Sequence, residues 1–304
     1  GTLGAATYSV MVVALTGEGF RNSSLSGGVA TSQTVTGADG ATYTLKGGSS
    51  NKSAAATQAI TLGQVLSCSV AAVTGAVGYA WYVGTAGNEK LERITTINSA
   101  TFNAPLVGGT RQAATVITAD NSQNTLAFDG LMTHAFSGTG AYVRTLATGT
   151  AGTGTVLTSS GRGTINEIDD MLQAMWDTNQ VSPDVIYVSS QELKNITNKA
   201  LAGPGTSPLL QVFTPPEQGY PGLMAGGVIG FYFNPFAMNG GIRIPIMLHP
   251  SLPAGTILAW ADNLYYQLDF PIRTRAQEFG VYAEEVLAVY APFAIGVITN
   301  IANG

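Results

Sequence analysis

The sequence predicts an α+β chain in which an all-β N-terminal part precedes a helix–strand–helix segment and a loop-rich β tail. Period-two apolar alternation with regularly spaced glycine turns fills residues 1–108. Two amphipathic helices with polar N-termini flank one short apolar strand between 164 and 203. From 204 onward, prolines bound short β-prone runs. A length of 304 residues suits about two domains, each able to bury a core of its own.

In the first part, Tyr8, Val10 and Val12 alternate with Ser9, Met11 and Val13, as in a strand with one well-buried face. Turns are expected at Gly17-Glu18-Gly19, Gly27-Gly28, Ala38-Asp39-Gly40 and Gly47-Gly48. There follow an apolar strand, Leu66-Ser67-Cys68-Ser69-Val70, a turn at Thr74-Gly75-Ala76, and an aromatic strand, Gly78-Tyr79-Ala80-Trp81-Tyr82-Val83. This stretch resembles an immunoglobulin-like or fibronectin III-like sandwich, with a core built from two sheets. Trp81 could be a carbohydrate-stacking platform, but its alternating neighbours favour a core aromatic. Cys68 is the only cysteine, so no disulfide can form within one chain; this fits folding in a reducing cytosol. It reads as a packed strand residue rather than a reactive thiol.

Residues 109–160 read as an extended connection, interrupted by Phe128-Asp129-Gly130-Leu131 and by Gly-rich stretches at 137–140 and 148–154. No Gly-x-x-x-x-Gly-Lys-Ser/Thr is present, so these glycines predict turns and not a phosphate cradle. A first helix is expected from Thr164, with Thr164 and Glu167 as a capping box, Asp169 and Asp170 in the first turns, and Ile165, Ile168, Leu172, Met175 and Trp176 as the apolar face. Val185-Ile186-Tyr187-Val188 reads as a strand buried on both faces. A second helix starts at Ser189 with Glu192 completing another box, turns Leu193, Ile196 and Ala200 inward, and stops at Gly203-Pro204. Strands are expected at 242–248 and 256–260, with further β segments at 264–270, 272–275 and 281–299, the last split by Pro292.

Charged residues make up 10% of the chain, against about 25% in an ordinary soluble domain. With 13 basic and 18 acidic residues the net charge is -5, and no Lys/Arg run could track phosphates. A surface this weakly charged suits faces covered by other copies of the same molecule. The apolar run 286–298 is broken by Pro292 and is shorter than the roughly 20 residues a membrane helix needs. No secretory leader is visible, and Gly1 in place of an initiator Met points to removed upstream sequence.

Four landmarks from 164 onward resemble the A domain and terminal P-domain strands of tailed-bacteriophage major capsid proteins, the Hong Kong ninety-seven-type fold. The first is Ile168-Asp169-Asp170-Met171-Leu172, then Ser182-Pro183-Asp184-Val185-Ile186-Tyr187-Val188, then Gln191-Glu192-Leu193. The second is Ile244-Pro245-Ile246 leading to Leu252-Pro253-Ala254-Gly255-Thr256-Ile257-Leu258 and an acidic loop at Asp262. Tyr282-Ala283-Glu284-Glu285 is the third, and Val289-Tyr290-Ala291-Pro292-Phe293-Ala294 the fourth. Phe128-Asp129-Gly130-Leu131 is similar to the loop entering the A domain in some members. The resemblance implies a phage capsid fold, A domain plus part of the P domain, with an N-terminal or inserted immunoglobulin-like sandwich. Its domains would be 1–108 sandwich, 109–160 connection and 161–304 capsid core. The family's N-terminal arm, extended loop and spine helix are not recognisable in residues 1–160, so the chain is expected to be a segment of a longer protein.

Chemistry has few parts to work with. His134 and His249 are the only histidines, and no His-x-x-x-His, Cys-x-x-Cys or Gly-x-Ser-x-Gly accompanies them. Asp169-Asp170 and Glu284-Glu285 are sequence neighbours whose side chains diverge, so solvated or interface-paired carboxylates are expected. Asn22-Ser23-Ser24, Asn51-Lys52-Ser53 and Asn195-Ile196-Thr197 match the glycosylation pattern, which carries no information in a bacterial cytosol. The expectation is therefore no enzyme, and no catalytic, cofactor or metal site. The resemblance implies a virion structural protein that assembles in the host cytoplasm into pentameric and hexameric rings and closes an icosahedral head. Portal, scaffold or decoration proteins would be further partners, DNA would be touched only non-specifically, and no membrane would be involved. Loop 203–222, uncharged but for Glu217, would sit near the ring axes. An encapsulin-like compartment shell and an immunoglobulin-like surface adhesin are the alternatives.

Overall fold

The computed structural model describes residues 1–37, 40–127, 129–161, 163–201, 212–213, 222–223, 229–238, 240–261 and 289–302. It is α+β: sheets predominate, and four α-helices accompany them among the described residues.

The N-terminal part holds β1 (Ala6–Leu15), α1 (Gly17–Asn22), β2 (Ser32–Thr36), β3 (Thr42–Lys46), β4 (Ala56–Ile60), β5 (Leu66–Ser69), β6 (Gly78–Gly84), β7 (Lys90–Thr95) and β8 (Ser99–Phe102). An antiparallel sheet has the order β4-β1-β6-β7, while β5 pairs with β8 and β2 with β3. Alternation decides which residue enters which core. Tyr8 and Val10 of β1 join Tyr79, Trp81 and Val83 of β6 against Leu66, Ala100 and Phe102 of the β5–β8 pair. The opposite parity, Val13, Leu15, Ala80 and Tyr82, packs with Val29, Leu91, Ala114 and Ile117.

The expected single buried face is therefore corrected to two, and every residue of β6 is buried. The second face is covered by α1, where the sequence suggested a turn at Gly17-Glu18-Gly19, and by a 3-10 turn at Ala114–Val116. Helix α1 forms because the Thr16 hydroxyl accepts from Gly19 N, and it can approach because Gly19 lies directly on the Gly47-Gly48 backbone, where a Cβ would collide. Trp81 is a core aromatic, 1% exposed, with its indole N–H donated to Thr95 Oγ1 at 2.8 Å. Cys68 packs on β5, and burial raises its thiol to about 11, away from thiolate chemistry at neutral pH.

The C-terminal part holds α2 (Leu131–Ser137), β9 (Tyr142–Thr145), α3 (Asn166–Asn179), β10 (Val185–Val188), α4 (Ser190–Leu201), β11 (Val212–Phe213), β12 (Gly222–Leu223), β13 (Phe231–Asn234), β14 (Ile242–Leu248), β15 (Ile257–Trp260) and β16 (Ile295–Thr299). Six of these strands make one mixed sheet, β13-β14-β10-β15-β16-β9, with parallel pairs at β10–β14 and β9–β16. One face buries Ile186, Val188, Ile244, Ile246, Ile257 and Ile298 against Ile168, Met171, Leu172 and Met175 of α3 and Ile196 and Ala200 of α4. On the other face Ala135 of α2 packs on Leu258, Ile295 and Val297. As expected, β10 has core on both sides. Residues 109–160 are more than an extended connection, since they contain α2, β9 and the 3-10 turn.

Both capping boxes need correction. Helix α3 starts at Asn166, and Ile165 at its N-cap makes no side-chain cap. Glu167 instead accepts from Thr158 N at 2.9 Å and Thr158 Oγ1 at 2.7 Å, while Thr164 closes a local turn on Gly161. Glu167 is 4% exposed, and its charge-assisted bonds to the two donors of Thr158 replace the capping interaction. At α4 half of the box forms: Ser189 Oγ accepts from Glu192 N, but the Glu192 carboxylate turns elsewhere. Trp176 is only half-buried, and Met171, missing from the expected stripe, is fully buried. Pro292 opens a 3-10 turn, Pro292–Ala294, that leads into β16. Residues 203–204, 262, 264–275 and 281–288 lie outside the described residues.

The two parts are joined through side-chain amides. Asn300, held at φ 63° after β16, accepts from Asn98 N at 2.8 Å and donates to Asn98 Oδ1 at 3.0 Å and Leu146 O at 2.8 Å. Asn98 donates in turn to Val70 O and Thr148 Oγ1. Both asparagines are buried. In urea unfolding, Asn300→Ala should cost about 3 kcal/mol, because it strands several buried donors and acceptors. Asn300→Gly, which suits the backbone angle, should recover only a small part of that loss.

Candidate assembly surface

Strand β13 is the edge of the six-stranded sheet, and its alternation is aromatic on both sides. Tyr232 and Asn234 point into the core. Tyr232 is 5% exposed; its hydroxyl accepts from Ile165 N at 2.8 Å and donates to Asp169 at 2.6 Å. Asn234 donates to Ser182 Oγ and accepts from Phe236 N, fixing the chain just before Pro235. Phe231 and Phe233 point the other way and remain 64% and 58% exposed. Their register partners on β14 are Pro245 and Arg243, and Met247 continues the same face beside Tyr187 of β10. Met247 is half exposed, and Met238 in the following loop is exposed. Helix α2 covers the β15–β16 half of this face, so the β13–β14 half is an apolar surface without a covering helix among the described residues. The Phe-Tyr-Phe run before Asn-Pro was the signal for β13, and the sequence reading passed over it.

A second concavity lies between α1 and the 248–254 loop, a cleft of about 490 Å³ lined by Phe20, Arg21, Ser190, His249, Pro250 and Pro253 among others. It sits where the two parts of the chain meet, and its walls are mainly apolar.

The residues weighed for chemistry are scattered. His134 lies on α2, whereas His249 is in the loop after β14, accepting from Ser251 N and meeting the Tyr187 ring edge-on at 5.5 Å. Asp169 and Asp170 diverge as expected: Asp169 takes the Tyr232 hydroxyl, and Asp170 pairs with Arg144 on β9. Burial raises the Asp169 carboxyl, a shift the Tyr232 hydrogen bond opposes. Glu284 and Glu285 lie outside the described residues, as does most of loop 203–222, where only the β11–β12 pair is described. Among the described residues no group of three or more His, Cys, Asp or Glu could hold a metal ion, and no helix is long and apolar enough to cross a membrane.

Replacing Phe231 and Phe233 together by Ser should shift unfolding free energy by no more than about 0.5 kcal/mol per site, as for exposed positions. Tyr232→Phe, between them, should cost roughly 1–3 kcal/mol by leaving Ile165 N and Asp169 short of a partner. Denaturant melts of the two variants would show this contrast. The chain matches no protein-family model, and no curated protein matches it.

Proposed function

We propose that the chain is a structural subunit that associates with copies of itself into a closed shell, as major capsid proteins of tailed bacteriophages do. One observation carries this reading: the exposed apolar side chains of Phe231, Phe233 and Met247 at the edge of the large sheet, on a face that no helix covers among the described residues. Apolar side chains gathered on one surface mark association sites, and a partner surface relieves the cost of exposing them. The low overall charge supports the same conclusion, since identical faces carrying like charges would repel.

On this reading α3, β10 and α4 with the six-stranded sheet form the A-domain-like tile. Residues 1–108 form an immunoglobulin-like sandwich projecting from it. That sandwich departs from the simplest form, because its central strands carry a second core under α1 and the 114–116 turn. The partners are other copies in rings of five and six, joined by portal, scaffold or decoration proteins. The location is a virion assembled in a bacterial cytoplasm, and the role is mechanical rather than catalytic.

Sedimentation velocity on the purified full chain is expected to show a discrete large species that added salt does not disperse, because apolar contacts are not screened. Phe231→Lys with Phe233→Lys should return it to single copies that keep the far-UV circular dichroism of the folded chain and melt no higher than the assembled protein. Single copies at every concentration, or assembly indifferent to the double change, would refute the proposal. Contents of an isolated shell separate the variants of this reading: nucleic acid supports a capsid, and a protein cargo an encapsulin-like compartment.

A further inference from the structure

Strands β2 and β3 pair only with each other among the described residues, so each keeps one side without a strand partner. Apart from Val35 and Lys46, which are half-buried, every residue of the two strands is exposed. An antiparallel sheet ordinarily rests one face on a core, and two strands by themselves are marginal in water. The register sets Val35 against Tyr43 and Gln33 against Leu45, so these four share one face, while the threonines and Lys46 share the other. Folded proteins blunt such edges with Lys, Pro or a bulge. Residues 32–46 contain no proline, their register is unbroken, and their one lysine is the last residue of β3.

The base of this hairpin is fixed. Lys46 Nζ donates to Asn121 Oδ1 at 3.3 Å, Gly48 N to Asn121 O at 2.9 Å, and Ser49 Oγ to Ala30 O at 2.8 Å. Gly47 lies so close to the Ala30 and Thr31 carbonyls that a Cβ would collide with them. The hairpin is thus a rooted arm that holds a polar backbone edge out to solvent.

We propose that this hairpin is a docking arm for a second copy of the chain: β3 pairs antiparallel with β3 of the other copy about a twofold axis at Thr44, giving a four-stranded sheet β2-β3-β3-β2. A strand edge is recognised by the backbone of another strand, which supplies the donors and acceptors that the edge lacks. Strand β3 is the better edge, because Tyr43 of each copy then lies opposite Leu45 of the other and the apolar faces of the two arms become one. Pairing through β2 would bring together only Gln33 and Val35. Charge favours the same arrangement. Asp39, between the strands in the sequence, and Lys46 are the only charged residues of 32–46, and antiparallel pairing lays the Lys46 end of each arm toward the Asp39 end of the other.

A contact of five residues a side falls well below the roughly 1,200 Å² of a stable complex. The pairing is therefore weak and concentration-dependent, and dilute molecules stay single. It uses a surface separate from the β13 edge and stands or falls without that edge.

Thr44→Cys and Thr34→Cys, exposed positions on the same face of the two strands, test the arm in a glutathione redox buffer at high protein concentration. Both are made in the full chain carrying Phe231→Lys and Phe233→Lys, so that the β13 edge contributes no association; Cys68 is common to both. Residues opposite each other on antiparallel strands have Cα atoms about 4.5–5.5 Å apart, a span that a disulfide bridges. The two copies of residue 34 would lie three strand spacings apart, roughly 14 Å, beyond that reach. Thr44→Cys should therefore give covalent dimer on the order of tenfold in excess of Thr34→Cys. Hydrogen exchange supplies a readout that needs no cysteine: amides of 42–45 should slow as protein concentration rises. Equal cross-linking of the two variants, or exchange at 42–45 indifferent to concentration, would overturn the arm and leave the edge to a strand of some other protein.

Discussion

Asn98 and Asn300 face each other across the joint between the two parts of the chain, and the rest of the architecture depends on that exchange of amide hydrogen bonds. Both hydrogens of each amide nitrogen are used: those of Asn98 on Val70 O and Thr148 Oγ1, those of Asn300 on Asn98 Oδ1 and Leu146 O. In a buried setting a complete amide network is rigid, while an incomplete one is costly. Ser99 accepting from Gly152 N and Thr101 donating to Ala151 O extend the same seam along β8. The β unit is thereby held against the sheet through specific polar bonds, although about 200 residues separate the two asparagines.

That joint explains why the molecule can present one surface to copies of itself. The large sheet is anchored at the β16 end by the amide seam, by α2 on one face and by α3 and α4 on the other. Its opposite edge, β13, then carries the exposed phenylalanines at a position set by Tyr232 and Asn234 beneath them. A rigid, apolar, weakly charged edge is the element from which a symmetric assembly can be built, because every copy offers the same geometry.

Much of the local structure was legible in the residues. Amphipathic spacing located α3 and α4, and the apolar run 185–188 located a strand with core on both faces, because these signals depend on near neighbours. What the sequence hid depends on distant partners. Helix α1 forms in a glycine-rich stretch because Gly19 can lie against Gly48, a contact no local pattern reveals. The Thr164–Glu167 box failed because Thr158 offered Glu167 both its backbone N–H and its hydroxyl. Strand β9 is four residues long and is stabilised by parallel pairing with β16, more than 150 residues away. Glu192 fitted a capping pattern, and its burial became visible only once the 248–255 loop folded over it. The apolar face of β13 was present as Phe-Tyr-Phe, but which rings stay outside is decided by Ile165 and Asp169 claiming the tyrosine.

The central claim is that identical copies cover one another's apolar edge and close a shell. Negative-stain electron microscopy of the purified full chain addresses it most directly. The account predicts hollow particles of uniform diameter with ring-like units on their surface. Fields of dispersed single molecules, or irregular aggregates without a repeating unit, would contradict it.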